Sequence, residues 1–401
     1  MDRELLRCDI CGGSIEVQAG GKKGICENCG ASYSLERMRE IYSGMKVSVT
    51  GTEEDVEQWK RLVETYLKNL DFIAAENVVK KILEAVPSDE YANKVYVLLQ
   101  EWKYLEIRNG TLTKYNGRAD NLVLPEGVRV IGISAFRESG IRRITLSDTL
   151  TAIEGKAFEG CENLREIMMS PNLVQIGNSA FRGCRSLKDI IIPRSVVQIG
   201  ENAFEDCTAL ESIDISNVKK PGYGCFSRCK SLSKVVLSKD MVSISGFMFA
   251  GTDIVEIDIP LGVKNIGCGA FEFCQSLRRV HLPDGLESID QNAFSVCRSL
   301  EQVTIPSTVK VIKADAFSGC SKLTELNISQ TLLLKLYSEF CTSDTEDRAR
   351  LPLNGTPFWD NYIELKRREN RRNRNSCQYC GGEFKGLFTK VCSKCGKPKD
   401  Y

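Results

Sequence analysis

Eight of the chain's 18 cysteines stand in four CxxC pairs near its ends: Cys8 with Cys11, Cys26 with Cys29, Cys377 with Cys380, and Cys392 with Cys395. A two-residue gap lets both thiolates of a pair turn toward one ion. The glycine behind each pair (Gly12, Gly30, Gly381, Gly396) permits the tight backbone turn that this requires. Two pairs at each end supply four sulfurs per site, a closed tetrahedral donor set suited to a structural Zn²⁺, so two zinc ions per chain are expected. With no open coordination position, the metal would not be catalytic. Iron at the same sulfurs stays open on the residues alone. A dithiol redox role is disfavoured, because that motif uses one CxxC at a helix start within a βαβ unit and here the pairs come doubled.

Both ends resemble zinc ribbons, small appendages of many bacterial proteins, through CDICGGSIEV to CENCGASYSL and through CQYCGGEFKG to CSKCGKPKDY. Between these ends, residues 1–43 and 375–401, lie the elements that would hold them apart. Residues 52–104 read as helical. One helix is expected from about Glu53 to Lys68, with Thr52 and Asp55 at its start, and a second from about Phe72 to Ala85. Pro87 stops the second, and Ser88 is placed to cap a third that reaches about Tyr104. Trp59, Leu62, Tyr66, Ala75 and Pro87 resemble the signature of a single tetratricopeptide repeat, although Val63 and Val79 depart from it. An unrelated helical hairpin accounts for the same residues. One such unit cannot bury its own apolar face, so it is expected to cap the domain that follows.

From 105 to 342 the chain repeats. A phenylalanine returns every 22 or 23 residues, from Phe136, Phe158, Phe181, Phe204 and Phe226 to Phe249, Phe271, Phe294, Phe317 and, degenerately, Phe340. Variants of P-x-x-V-x-x-I precede it, clearest as Pro193, Val196 and Ile199, and variants of C-x-x-L-x-x-I-x-I follow, as in Cys184, Leu187, Ile190 and Ile192. The phrases LPEGVRVIGISAF and LPDGLESIDQNAF resemble the consensus of the BspA-like leucine-rich repeats of bacterial and protist proteins. That resemblance implies a solenoid and protein binding, often at a cell surface. The fold class expected is therefore a mainly β solenoid of 22–23-residue coils, with a helical N-terminal cap and a zinc ribbon at each end.

The thiol column of the repeat is Cys161, Cys184, Cys207, Cys229, Cys274, Cys297 and Cys320, with Ser139 and Thr252 where it lapses. Small residues of weak polarity fill a buried corner, and coils stacked at ~4.8 Å hold neighbouring thiols too far apart for the Cβ spacing of a disulfide. These sulfurs are packing. Cys225 and Cys268 fall outside the column.

Alternation along each long strand exposes the residue on either side of the Ile/Val column. The candidate partner face is Arg143, Glu166, Met168, Asp189, Ile191, Asp214, Lys234, Val236, Asp258, Arg279 and His281, with a short apolar patch at Met168 and Ile191. Residues 343–374 are expected to close the far end: Thr356 and Pro357 start a helix, and Phe358, Trp359, Tyr362 and Ile363 cover the last coil. The basic run KRRENRRNR, 366–374, beside a cysteine-rich end keeps a nucleic-acid-binding or regulatory reading alive. Against it stand the formal net charge of +1, which two thiolate-bound zinc sites would turn negative, and the few basic residues between the N-terminal cysteine pairs, only Lys22 and Lys23. A single histidine and the lack of a phosphate-cradling glycine loop argue against an enzyme. The opening residues MDRELLRCDI form no apolar leader, and no stretch is apolar enough to span a bilayer, so a cytoplasmic protein with no membrane contact is expected.

Overall fold

The computed structural model describes residues 8, 10–11, 15–17, 23–34, 53–342, 350–373, 384–385, 391–392 and 394. Near the N-terminus, β1 (Ile15–Val17), β2 (Lys23–Cys26) and β3 (Ser32–Ser34) form an antiparallel sheet in the order β1-β2-β3. Three helices follow: α1 (Glu53–Lys68), α2 (Phe72–Ala85) and α3 (Glu90–Trp102). Asp71 caps α2, its carboxylate accepting from the Ala74 N–H at 3.0 Å. At α3 the cap is Asp89 rather than the expected Ser88. Its carboxylate accepts from the Ala92 N–H at 2.8 Å and also pairs with Lys60 Nζ of α1 at 2.8 Å, a second bond that a serine hydroxyl in that place would not match.

The helices do cap the solenoid. The Trp102 indole donates to the Val123 carbonyl of the first coil at 2.7 Å, and Trp102 and Leu99 are buried in the same core. The hairpin of β4 (Leu105–Arg108) and β5 (Thr111–Tyr115) leads into the coils, because β5 pairs in parallel with the first short strand at Val130–Ile131.

About nine coils then stack, with three-residue strands on one side and two-residue strands on the other, the long strand missing only at 189–191 among the described coils. Buried Phe rings run down the axis from Phe136 to Phe317, stacked 4.9–5.8 Å apart, with Tyr115 tilted over the first at 5.1 Å. The stack is loosest in the middle. Rings lie 5.5, 5.8 and 5.6 Å apart from Phe204 through Phe271, against 4.9–5.2 Å elsewhere. The residue before the ring explains it: alanine stands there in the other coils, while Cys225 and Met248 stand there in the two middle ones and need more room. Both strand ladders break in this region as well, the short one after Lys220–Pro221, where Pro221 replaces the column isoleucine and has no N–H to give.

Each coil turns its corner with left-handed backbone two residues before and two after the phenylalanine. At the second corner Gly160, Gly183, Gly251 and Gly319 adopt it freely, but Val296 holds φ at 61°. For a β-branched side chain this is strained. Val296→Gly is expected to stabilise the protein by about 1 kcal/mol, seen as a higher urea midpoint; a lower midpoint would mean that the valine's packing outweighs the strain.

The tenth repeat does not form. Phe340 lies in helix α4 (Gln330–Thr342), so the last long strand of the solenoid is Glu325–Asn327. The segment QTLLLKLYSEF has helical spacing, burying Leu332 and Leu336, and lacks the glycine or asparagine that the corners favour. Residues 350–353 instead complete the last coil: the Phe317 N–H donates to Pro352 O at 2.9 Å, as each earlier ring residue donates to the next coil, which sets the buried Leu353 in the ring's place. Thr356 then caps α5 (Pro357–Asn373), accepting from the Trp359 N–H, and the buried Trp359 and Ile363 cover the open end as expected. Near the C-terminus, Phe384–Lys385 pairs antiparallel with Val391–Cys392.

Candidate metal centre and candidate interaction face

The N-terminal sheet brings Cys8, Cys11, Cys26 and Cys29 together. Their sulfurs lie within 4.8 Å of one another, with Cys8 to Cys29 at 3.6 Å and Cys11 to Cys26 at 3.4 Å. A tetrahedral ion bound at about 2.3 Å holds its sulfurs about 3.8 Å apart, so the donor set fits Zn²⁺ in number, chemistry and spacing. Cys26 ends β2, the Gly30 N–H returns to its carbonyl at 2.9 Å, and Gly30 at φ 70° makes the turn that the CxxCG spacing calls for. Around the sulfurs, Cys8, Ile15, Cys26 and Tyr33 form a core of their own. The Tyr33 hydroxyl lies 2.8 Å from Cys8 Sγ, a contact the spacing of cysteines could not announce. Burial pushes the Cys8 and Cys29 thiols above the ordinary range, the cost that an ion would offset by holding them as thiolates. Of the C-terminal set, Cys377, Cys380 and Cys395 lie outside the described residues, and Cys392 ends a described strand.

The interior thiols are brought into register without converging. Each donates to the carbonyl of the preceding coil's phenylalanine: Cys161 to Phe136 at 3.0 Å, Cys184 to Phe158 at 3.2 Å, Cys207 to Phe181 at 3.1 Å, and so on to Cys320 and Phe294 at 3.1 Å. Thr252 takes the same role locally, donating to Phe249 at 2.8 Å. Burial drives the pKa of Cys184, Cys207 and Cys229 well upward, so they are neutral, inert thiols. Cys225 is likewise buried, whereas Cys268 is half-exposed.

On the long-strand side, Arg143, Glu166, Met168, Asp189, Ile191, Asp214, Lys234, Val236, Asp258, Arg279 and His281 all face solvent. They do not form one continuous ladder. Regular pairing lapses at 189–191, and the sheet divides into groups of three, two and four strands. Nothing in the neighbouring side chains accounts for the lapse. Ile191 is 85% exposed and Met168 59%. Some of the polar groups on this face meet across coils, Arg143 with Glu166 at 3.2 Å and His281 Nδ1 with Asp258 at 2.5 Å. Arg279, His281, Gln302 and Thr304 border a shallow hollow. At the corner, Arg137, Glu159, Arg182, Glu205 and Arg228 alternate in sign from coil to coil, and Arg228 holds the Asp206 carboxyl below its usual range.

The basic run is partly neutralised on its own helix. Lys366 pairs with Glu369 at 2.9 Å and Arg368 with Glu364 at 3.1 Å. Arg374 lies outside the described residues. Among the described residues no helix is long and apolar enough to cross a membrane.

Comparison with known proteins agrees with the coil geometry. The model of the BspA type Leucine rich repeat region matches in six copies, over residues 106–233, 158–267 and 242–346. No curated protein matches the chain. Among solved structures, a leucine rich cell surface protein from Faecalibacterium prausnitzii is 23% identical, with 55% of this chain and 85% of that one covered and a TM-score of 0.38. The T. pallidum leucine-rich repeat protein is 28% identical, with 49% and 88% covered and a TM-score of 0.39. A leucine-rich repeat protein from Eubacterium ventriosum is 21% identical, with 53% and 66% covered and a TM-score of 0.41. With the family model matching from 106 to 346, well over half its length, the chain belongs to the BspA-type leucine-rich repeat proteins.

Proposed function

We propose that this chain is a non-enzymatic scaffold that binds a protein partner on the exposed long-strand face of its solenoid, centred on Met168 and Ile191. Leucine-rich repeat proteins typically serve as interaction scaffolds, and the solenoid offers a stiff, repetitive surface rather than a catalytic pocket. The observation that carries the choice of face is the exposure of Met168 and Ile191, two large apolar side chains one coil apart on a face of mixed charge. The mixed signs of the charges around them suit protein recognition better than a polyanion.

The cysteine pairs at each end are assigned to two structural Zn²⁺ ions, one on Cys8, Cys11, Cys26 and Cys29, the other on Cys377, Cys380, Cys392 and Cys395. The thirteen cysteines at 8–320 form no disulfide with one another, and thiols of this kind suit a reducing, cytoplasmic compartment. The cell-surface role named for one similar structure is not carried over.

Affinity capture with the intact protein and with the Met168→Asp, Ile191→Asp double variant tests the face. Because both side chains are exposed, the variant is expected to melt with the parent yet lose its protein partners. Retention of the same partners would refute the choice of face. Partners released by nuclease would favour the second reading, in which the ribbons and residues 366–374 bind nucleic acid.

A further inference from the structure

The N-terminal cysteine cluster does not stand clear of the helical cap. Ile10, Cys11 and Cys29 pack against the main core, and Ile10, Cys29, Gly30 and Ala31 face Gln58, Trp59, Arg61, Leu62 and Thr65 of α1 across a narrow cleft. One helical turn beyond Leu62, on the same face, stands Tyr66. Its side chain is 6% exposed, and its hydroxyl is buried without a well-formed hydrogen bond among the described residues. The sulfur beside it is Cys11.

A buried hydroxyl left unpaired costs about 1–3 kcal/mol, so its placement asks for a partner. A neutral thiol is a poor acceptor, but a metal-bound thiolate is a good one. Four thiolates on one divalent ion carry an excess of negative charge, which donors around the site must share. Tyr33 already stands in this relation to Cys8 at 2.8 Å. Tyr33 comes from the ribbon itself, whereas Tyr66 comes from the helical cap.

We infer that Tyr66 is a positioning residue of the N-terminal metal site, donating its hydroxyl to the Cys11 thiolate, so that loading with Zn²⁺ locks the ribbon onto α1. The inference rests on the metal reading proposed above. It makes the ribbon's attachment to the cap depend on the ion, with the two tyrosines gripping Cys8 and Cys11 from opposite elements.

The test uses the full chain carrying Cys377→Ser and Cys380→Ser, so that Zn²⁺ titrates only the N-terminal site. Competition with a chromogenic chelator gives the affinity, and hydrogen exchange follows the amides of residues 59–66 with and without Zn²⁺. Adding Tyr66→Phe is expected to weaken Zn²⁺ binding about tenfold, at the lower end of what outer-shell partners contribute. In the parent, stripping the ion is expected to speed exchange on this face of α1 several-fold, while the Tyr66→Phe protein shows a smaller difference between its two states. Removing an unpaired hydroxyl leaves the ion-free helix unharmed, so a tyrosine with no role at the metal would leave the difference between the two states as large as in the parent. Equal Zn²⁺ affinity for the two proteins, or an α1 that ignores the ion, overturns the inference while leaving the metal site intact. A parent that binds no Zn²⁺ overturns both.

Discussion

Phe204→Ala is expected to destabilise the solenoid by about 3–5 kcal/mol, one of the largest losses a single side chain can cause here. Phe204 is fully buried, stacked 5.1 Å from Phe181 and 5.5 Å from Phe226. Truncation would leave a cavity bounded by two rings that cannot collapse into it, because each is fixed by its own coil's hydrogen bonds. The position also matters. Phe204 borders the loose middle of the stack, so the cavity would open next to coils already spread by Cys225 and Met248. In a linear array, where each coil is stabilised only by its neighbours, the defect should split unfolding into two steps. Urea titration followed by tryptophan emission, which reports Trp59 and Trp102 at one end and Trp359 at the other, checks this. A single transition at the parent midpoint would refute the view that the ring stack carries the fold.

Cys26→Ser is expected to remove one of two bound zinc ions and to unfold the ribbon alone. Cys26 is 1% exposed, and its sulfur lies 3.4 Å from that of Cys11. Structural zinc supplies about 10–16 kcal/mol of apparent binding energy in small ribbons and fingers. The ribbon's own core of Cys8, Ile15, Cys26 and Tyr33 is far too small to fold without such help. Serine offers a hydroxyl that stays protonated and binds zinc poorly. Elemental analysis should fall from two ions per chain to one, and protease should cut the first 43 residues while sparing the coils. Cys207→Ser is the matched control. A hydroxyl there can still donate to the Phe181 carbonyl, so the zinc count should stay at two and the loss should be about 1 kcal/mol. Should both substitutions release an ion, the division of the cysteines into ligands and packing would fail.

That Cys8, Cys11, Cys26 and Cys29 converge while the interior thiols stand one to a coil was legible from spacing, because two different periods are at work. A gap of two residues can only serve a local site, whereas a gap of 22 or 23 is the length of a coil. The ring column was equally plain, since a large apolar residue at a fixed period has nowhere to go but inward. Where the sequence misled, short-range and long-range signals competed. Phe340 keeps the period, but the leucines at 332, 333 and 336 keep a helical spacing, and the shorter period won. Ser88 and Asp89 are both good caps, and the choice fell on the one that Lys60, almost thirty residues earlier, could also reach. The thiol bonds to the preceding coil's carbonyls and the approach of Tyr66 to Cys11 depend on offsets between elements, which no local pattern encodes.

The column of buried thiols in the solenoid has a practical consequence. Each is sealed by the coil on either side, so an alkylating reagent reaches it only when that coil opens. Mass-tagging from Cys161 to Cys320 therefore reads out where along the rod the protein breathes, with the less buried Cys268 as an internal reference. The molecule carries its own strain gauge, with one blank graduation at Thr252.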